Sequence, residues 1–233
     1  MPAGIITTTT TMTITTTTDR RPLLNLLAWL SPAFPVGGFA YSHGLEWAVE
    51  IGDVRDGPSL REWLADILLH GSARSDVILL RVAHRACDNA DELVAIAEIG
   101  MASVAARERR EETLNQGRAF VLAVAAWGGL EVSGEFSYPV AVGAACGRRG
   151  VSEDDIALAY LQAFSANLIS AAVRLVPLGQ SVGLRVLADL ESVILAVSDE
   201  TRSATLDDLG GCAFRSDLAA MRHETQYTRL FRS

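Results

Sequence analysis

The spacing of apolar residues is the feature that most limits how this chain of 233 residues can fold. Between residues 21 and 226, apolar side chains recur every three or four positions, and the runs are separated by prolines and glycines. This spacing places the apolar side chains on one face of an α-helix, whereas a half-buried strand would alternate at every second position. We find neither such alternation nor an internal repeat of fixed period. The sequence therefore predicts an all-α fold.

One predicted helix has clear signals at both ends. Ser152 is a candidate N-cap, and three acidic residues follow it in the first turn, where the helix dipole favours negative charge. Pro177 ends the same helix. The predicted helices are Leu23–Leu30, Leu60–Leu68, Val77–Cys87, Leu93–Ala106, Leu114–Trp127, the helix from Ser152 to Val176, Gln180–Val197 and Asp217–His223.

The length and composition predict one globular domain between two tails. A chain of this size is within what a single core can hold, and 49% hydrophobic residues supply ample material to bury. Residues 7–18 are almost entirely threonine, with no partner face to pack against, so residues 1–20 are expected to be a disordered tail. We expect a helical bundle over residues 21–226 and a C-terminal tail over residues 227–233.

The net charge of −8 argues against nucleic acid and anionic lipid as partners, because both attract clustered positive charge. The most apolar segment, Ile156–Leu178, is interrupted by polar and charged residues, and no signal-peptide pattern begins the chain. Cys87, Cys146 and Cys212 are far apart and lack the spacing of a disulfide framework or a zinc site. We therefore expect no membrane span and a cytoplasmic location.

No catalytic, cofactor-binding or metal-binding residue can be assigned from the sequence. A phosphate-binding loop needs a lysine, and the chain contains none. The four histidines lie in separate segments without metal-ligand spacing: His43, His70, His84 and His223. The charged run Arg107–Glu112 has opposite charges three and four apart, which is typical of a solvated helix face.

The last residues carry an unusual composition for a chain end. Extreme termini normally fray and contain small polar residues. Here the tail contains Tyr227, Arg229, Leu230 and Phe231, and Tyr and Arg are types enriched at interface hot spots. The tail therefore either docks onto the core of its own chain or binds a partner.

Two segments of the chain carry a family resemblance. Residues 31–46 read SPAFPVGGFAYSHGLE and residues 221–233 read MRHETQYTRLFRS. Both resemble signature segments of the UreF family of urease accessory proteins, and the resemblance extends over residues 23–233. It implies an all-α protein that forms a homodimer, binds UreD (also called UreH) and, with UreD, recruits the nickel-carrying GTPase UreG to the urease apoprotein.

The resemblance also implies which residues bind partners. The aromatic residue of the first motif corresponds to Phe39 and the C-terminal arginine to Arg229, and both support recruitment of the GTPase in the family. The matching segments add further candidates. The full predicted partner-binding set is Phe39, Tyr41, Glu46, His223, Tyr227, Arg229, Leu230 and Phe231.

Three functions are compatible with these observations. The first is a non-catalytic scaffold without a cofactor, which raises the effective concentration of its partners by holding them together. The second is a regulator of the UreG GTPase, in which an arginine would act at the partner's nucleotide site. The third, a helical enzyme, requires a pocket with perturbed titratable groups.

Overall fold

The computed structural model describes residues 19–128 and 134–233 and contains no β-strand in these ranges. The all-α prediction is confirmed for this part of the chain, whereas residues 1–18 of the predicted N-terminal tail lie outside it. The α-helices are α1 (Arg21–Trp29), α2 (Leu45–Glu50), α3 (Gly57–His70), α4 (Ser72–Arg85), α5 (Ala90–Ala102), α6 (Arg107–Gly128), α7 (Tyr138–Arg148), α8 (Glu153–Leu175), α9 (Gln180–Asp189), α10 (Glu191–Glu200) and α11 (Phe214–His223).

Side-chain caps fix the beginnings of several helices. The side chain of Ser152 accepts a hydrogen bond from the backbone N–H of Asp155, as the sequence predicts for the start of α8. Asp56 and Ser59 form a reciprocal capping box at the start of α3. These bonds satisfy backbone donors that have no partner within the helix.

The structure divides one predicted helix into two. The apolar pattern of Gln180–Val197 continues without a break, but α9 ends at Asp189 and α10 begins at Glu191. Leu190 between them is completely buried, and its N–H bonds to Val186 and Leu187. The helix is interrupted there without loss of the periodic burial of its side chains, so periodicity alone does not reveal the interruption. Helices α2 and α7 are also absent from the sequence prediction.

A single hydrophobic core joins the helices, and α4 lies at its centre. Helix α4 packs against α3, α7 and α8. Its contact with α7 is unusually close, because a Cβ atom at Gly143 would lie 2.2 Å from the carbonyl oxygen of Leu80. Only glycine allows the two helix backbones to approach to this distance.

Helix α8 is long and apolar enough to cross a membrane, judged by length and composition alone. In its most apolar stretch, 50% of the residues are buried inside the fold. One such helix among the described residues is weak evidence for a membrane span, because central helices of soluble folds pass the same test. In this fold, the loop before α2 packs against α8.

We predict that Gly143→Ala lowers the free energy of unfolding by about 1–3 kcal/mol, because the added methyl group forces α7 away from α4. Denaturant titration followed by circular dichroism measures this change. Gly128→Ala is the matched control, since its Cβ would meet only the flexible end of the Arg149 side chain. A loss no larger for Gly143→Ala than for the control would contradict the close packing of α4 and α7.

Candidate partner-binding site

The two segments that resemble family motifs lie side by side in the structure. We call residues 37–44 the glycine loop and residues 224–233 the C-terminal segment. The backbone N–H of Arg232 donates to the carbonyl oxygen of Ala40 over 2.9 Å, and that of Ser42 donates to Ser233 over 2.7 Å. Residues almost 200 positions apart in sequence, such as Ser42 and Ser233, therefore belong to one site.

Glycines shape the loop. Gly37 and Gly44 both have left-handed backbone angles, with φ of 75° and 76°, and they flank a 3-10 turn over Gly38–Ala40. A Cβ atom at Gly44 would lie 2.5 Å from the backbone nitrogen of Ala220 in α11. The loop can therefore rest directly on the backbone of α11 only because glycine occupies this position.

The buried carboxylate of Glu46, in the first turn of α2, receives the C-terminal segment. Its Oε1 accepts the N–H of Leu230 over 2.6 Å, and its Oε2 accepts the N–H of Phe231 over 2.9 Å. Hydrogen bonds to a charged acceptor are stronger than neutral ones, especially in a buried site. This single side chain thus fixes the direction in which the segment runs.

His223 lies between two buried carboxylates. Its Nδ1 is 2.7 Å from Oε2 of Glu108, and its Nε2 is 3.2 Å from Oε2 of Glu46. The other oxygen of Glu108 accepts from the guanidinium of Arg229 over 2.6 Å. Helices α2, α6 and α11 and the C-terminal segment therefore meet in one network of charged groups.

A third buried carboxylate, Glu112, lies one turn further along α6. Burial by itself would raise the pKa of Glu112, but Arg109 and His43 beside it, with a hydrogen bond from the Ser233 hydroxyl, lower that pKa to about 2. The Ser233 bond measures 2.7 Å, and the distance to Nε2 of His43 is also 2.7 Å. Burial and the charge of Arg109 lower the pKa of His43.

The predicted partner-binding residues fall into two groups. Phe39 is 71% exposed, Leu230 is 65% exposed and Tyr227 is fully exposed. Arg229 is also exposed, with 38% of its side chain accessible to solvent. The remaining predicted residues are buried and position the site from within: Tyr41, Glu46, His223 and Phe231.

The interpretation of Arg107–Glu112 as a solvated helix face is wrong for half of the run. Glu108 and Glu112 are buried, and Arg109 is largely enclosed, because this face of α6 lies under the C-terminal segment. The spacing of these residues in the sequence is the signal that points to their burial. Glu108, Glu112 and Gln116 follow at intervals of four, which places a polar stripe on one helix face.

Asp76 in α4 extends the buried polar cluster toward the centre of the fold. The hydroxyl of Tyr160 donates to its carboxylate over 3.0 Å. Burial raises the pKa of Asp76 to about 6, although the charge of Arg109 opposes this shift. Asp76 lines both a cavity of about 190 Å³ and a cavity of about 460 Å³, and the larger one opens beside the glycine loop.

The carboxylates of this site bond to histidines, to arginines, to the hydroxyls of Tyr160 and Ser233 and to backbone N–H groups. Among the described residues, no group of three or more His, Cys, Asp and Glu side chains is arranged to hold a metal ion. The three cysteines are unpaired, and of these Cys146 is buried and Cys212 is exposed.

Comparison with known proteins gives consistent similarities. A family model described as UreF matches residues 54–191. Urease accessory protein UreF of Bradyrhizobium sp. (strain BTAi1) is 50% identical over 224 residues, covering 92% of this chain and 93% of that protein. The protein of the same name from Rhodopseudomonas palustris (strain BisB5) is 52% identical, covering 91% of each chain. That from Methylorubrum populi is 49% identical, covering 90% of this chain and 98% of its own.

We predict that Asp76→Asn stabilises the protein above pH 6. Because the folded pKa of Asp76 lies above its ordinary value of 3.8, wild-type stability declines as the pH rises from about 4 through 6. Asparagine still accepts the Tyr160 hydrogen bond and carries no charge, which removes a cost on the order of 3 kcal/mol. Denaturant titration at pH 4 and pH 8 measures the difference. A variant equally more stable at both pH values would show that ionisation is not the cause.

Proposed function

Because the chain belongs to the UreF family, we propose that it takes part in urease maturation as a non-catalytic scaffold. In this proposal it binds UreD (UreH) and, together with UreD, brings the GTPase UreG to the urease apoprotein, where nickel is the cargo. The nucleotide chemistry belongs to UreG. The contribution of this chain is geometric, since holding partners together replaces separate encounters by local ones.

The observation that carries the proposal is the joining of the glycine loop and the C-terminal segment. These two segments bear the residues matched to GTPase recruitment, Phe39 and Arg229, and backbone hydrogen bonds connect them directly. Phe39, Tyr227 and Leu230 expose large apolar side chains. Aromatic residues and arginines on one surface are the usual composition of an interface hot spot.

The rest of the proposal concerns assembly and location. A homodimer would present this surface twice, related by a twofold axis. The net charge of −8 and the free cysteines of the described residues agree with a reducing cytoplasm and with protein partners rather than nucleic acid. Light scattering coupled to gel filtration tests the oligomeric state of the free protein.

We predict that Arg229→Ala weakens recruitment of UreG to the complex with UreD by about thirtyfold or more, which is about 2 kcal/mol. The guanidinium is 38% exposed, but its partner Glu108 is buried and keeps His223 as a neighbour, so we expect the loss to cost the fold about 1–3 kcal/mol. Calorimetry or surface plasmon resonance measures the affinity. Arg185→Ala, an exposed arginine of α9 outside the site, is the matched control.

Two results would contradict this assignment. If Arg229→Ala binds UreG normally but melts early, the arginine acts only within its own chain. If the variant loses UreD instead, the surface belongs to the other partner. Measuring UreG turnover in the same samples separates recruitment from regulation, because a regulator changes the turnover of UreG that is already bound.

We predict that Phe39→Ala leaves the free energy of unfolding within about 0.5 kcal/mol of wild type, because the ring is 71% exposed and packs little against the core. The same change should weaken UreG recruitment at least tenfold. Thermal melting and the binding assay above measure the two effects. Leu195→Ala, an exposed apolar residue of α10 outside the site, should alter neither quantity. Equal losses of UreG affinity in Phe39→Ala and Leu195→Ala would indicate nonspecific binding.

A further inference from the structure

One exposed arginine contacts both halves of the site. The Nη2 atom of Arg174, in the last turn of α8, donates to the carbonyl oxygen of Phe39 over 2.8 Å. Its guanidinium carbon lies 4.3 Å from the centroid of the Phe231 ring, which is the geometry of a cation–π contact. Arg174 therefore contacts the glycine loop and the C-terminal segment at once.

A neighbouring residue of α8 contacts only one of these halves. The side-chain amide of Asn167 donates to the carbonyl oxygen of Gly38 over 3.1 Å. Asn167 and Arg174 thus bond to consecutive carbonyl groups of the loop, Gly38 and Phe39. Of the two, Arg174 is the one that also lies over the ring of Phe231.

These contacts have a consequence for the exposed ring of Phe39. A ring that is 71% exposed has little packing of its own to fix its direction, so the backbone at Phe39 determines where it points. Arg174 fixes this backbone and also lies over Phe231, which is buried within the C-terminal segment. A shift of either half is therefore transmitted to the other through this guanidinium group as well as through the two backbone hydrogen bonds.

We infer that Arg174 is a positioning residue that couples the glycine loop to the C-terminal segment, so that the GTPase binds a surface assembled from both. This inference rests on the proposed function. In this inference Arg174 holds Phe39 and Arg229 in one arrangement before the GTPase binds. Without this link, the GTPase would have to order the two segments separately, and each ordering step costs conformational entropy. The planar guanidinium can donate a hydrogen bond in its plane while its flat face stacks on a ring, a geometry that an ammonium group does not reproduce.

The test uses the full-length protein and three substitutions. Arg174→Gln removes the charge and the planar fork, and Arg174→Lys keeps the charge alone. Asn167→Ala removes a loop contact without touching the C-terminal segment. Arg185→Gln is the matched control on the neighbouring helix. Amide hydrogen exchange is followed by NMR at Ser42 and Arg232, whose N–H groups join the two halves, and UreG recruitment is measured in the complex with UreD.

The inference expects Arg174→Gln to speed exchange at both amides at least tenfold and to weaken UreG recruitment at least tenfold. Thermal melting and UreD binding should match those of the control. Arg174→Lys should restore part of both losses. Asn167→Ala should affect the loop amide of Ser42 more than that of Arg232, since the side chain of Asn167 hydrogen-bonds to the loop.

The outcomes separate this inference from the proposed function. Unchanged exchange in Arg174→Gln overturns the coupling, whatever happens to recruitment. Faster exchange with normal recruitment also overturns it, provided that Arg229→Ala weakens recruitment. If neither Arg174→Gln nor Arg229→Ala affects recruitment, the proposed function has been placed on the wrong surface, while faster exchange still demonstrates coupling within the fold.

Discussion

The burial of three carboxylates, those of Glu46, Glu108 and Glu112, is the constraint on which the candidate site depends. A buried charge is very unfavourable unless hydrogen bonds and opposite charges replace the lost water. The C-terminal segment supplies many of these replacements: two backbone N–H groups for Glu46, the guanidinium of Arg229 for Glu108 and the hydroxyl of Ser233 for Glu112. The C-terminal segment and helices α2 and α6 therefore stabilise one another. Removing the segment would leave the buried carboxylates without these partners.

In the proposed function, this mutual dependence joins stability and recognition in the same segment. The groups that compensate the carboxylates lie on the inner side of the segment, while Tyr227 and Leu230 are displayed on its outer side. The sequence left open whether the tail docks onto its own core or binds a partner. The structure shows the tail docked onto its own core, with Tyr227 and Leu230 left accessible to a partner. The order of the docked tail reduces the entropy that a partner must remove on binding.

Helical periodicity predicted the fold class and most helices, because burial on one face repeats locally along the chain. The boundary of α8 was predictable from Ser152 and Pro177 for the same reason, since caps act over a few residues. The motif segments containing Phe39 and Arg229 were recognisable, but their proximity was not. Hydrogen bonds such as Ser42 to Ser233 depend on tertiary packing that no local pattern encodes. The burial of Glu108 and Glu112 was missed because a charged helix face looks solvated until another segment covers it.

The absence of lysine acquires a physical meaning at this site, although codon usage would explain it elsewhere. Arg174 contacts a carbonyl oxygen and an aromatic ring at once, and Arg109 lies against both Glu112 and His43. A guanidinium has five donors in a fixed plane and an apolar face, so one side chain can satisfy two neighbours in different directions. An ammonium group has three donors but no planar fork and no flat face, so it reproduces this arrangement only in part. Arginine is thus favoured where loop, helix and C-terminal segment meet, whereas an exposed position such as Arg185 would accept either residue.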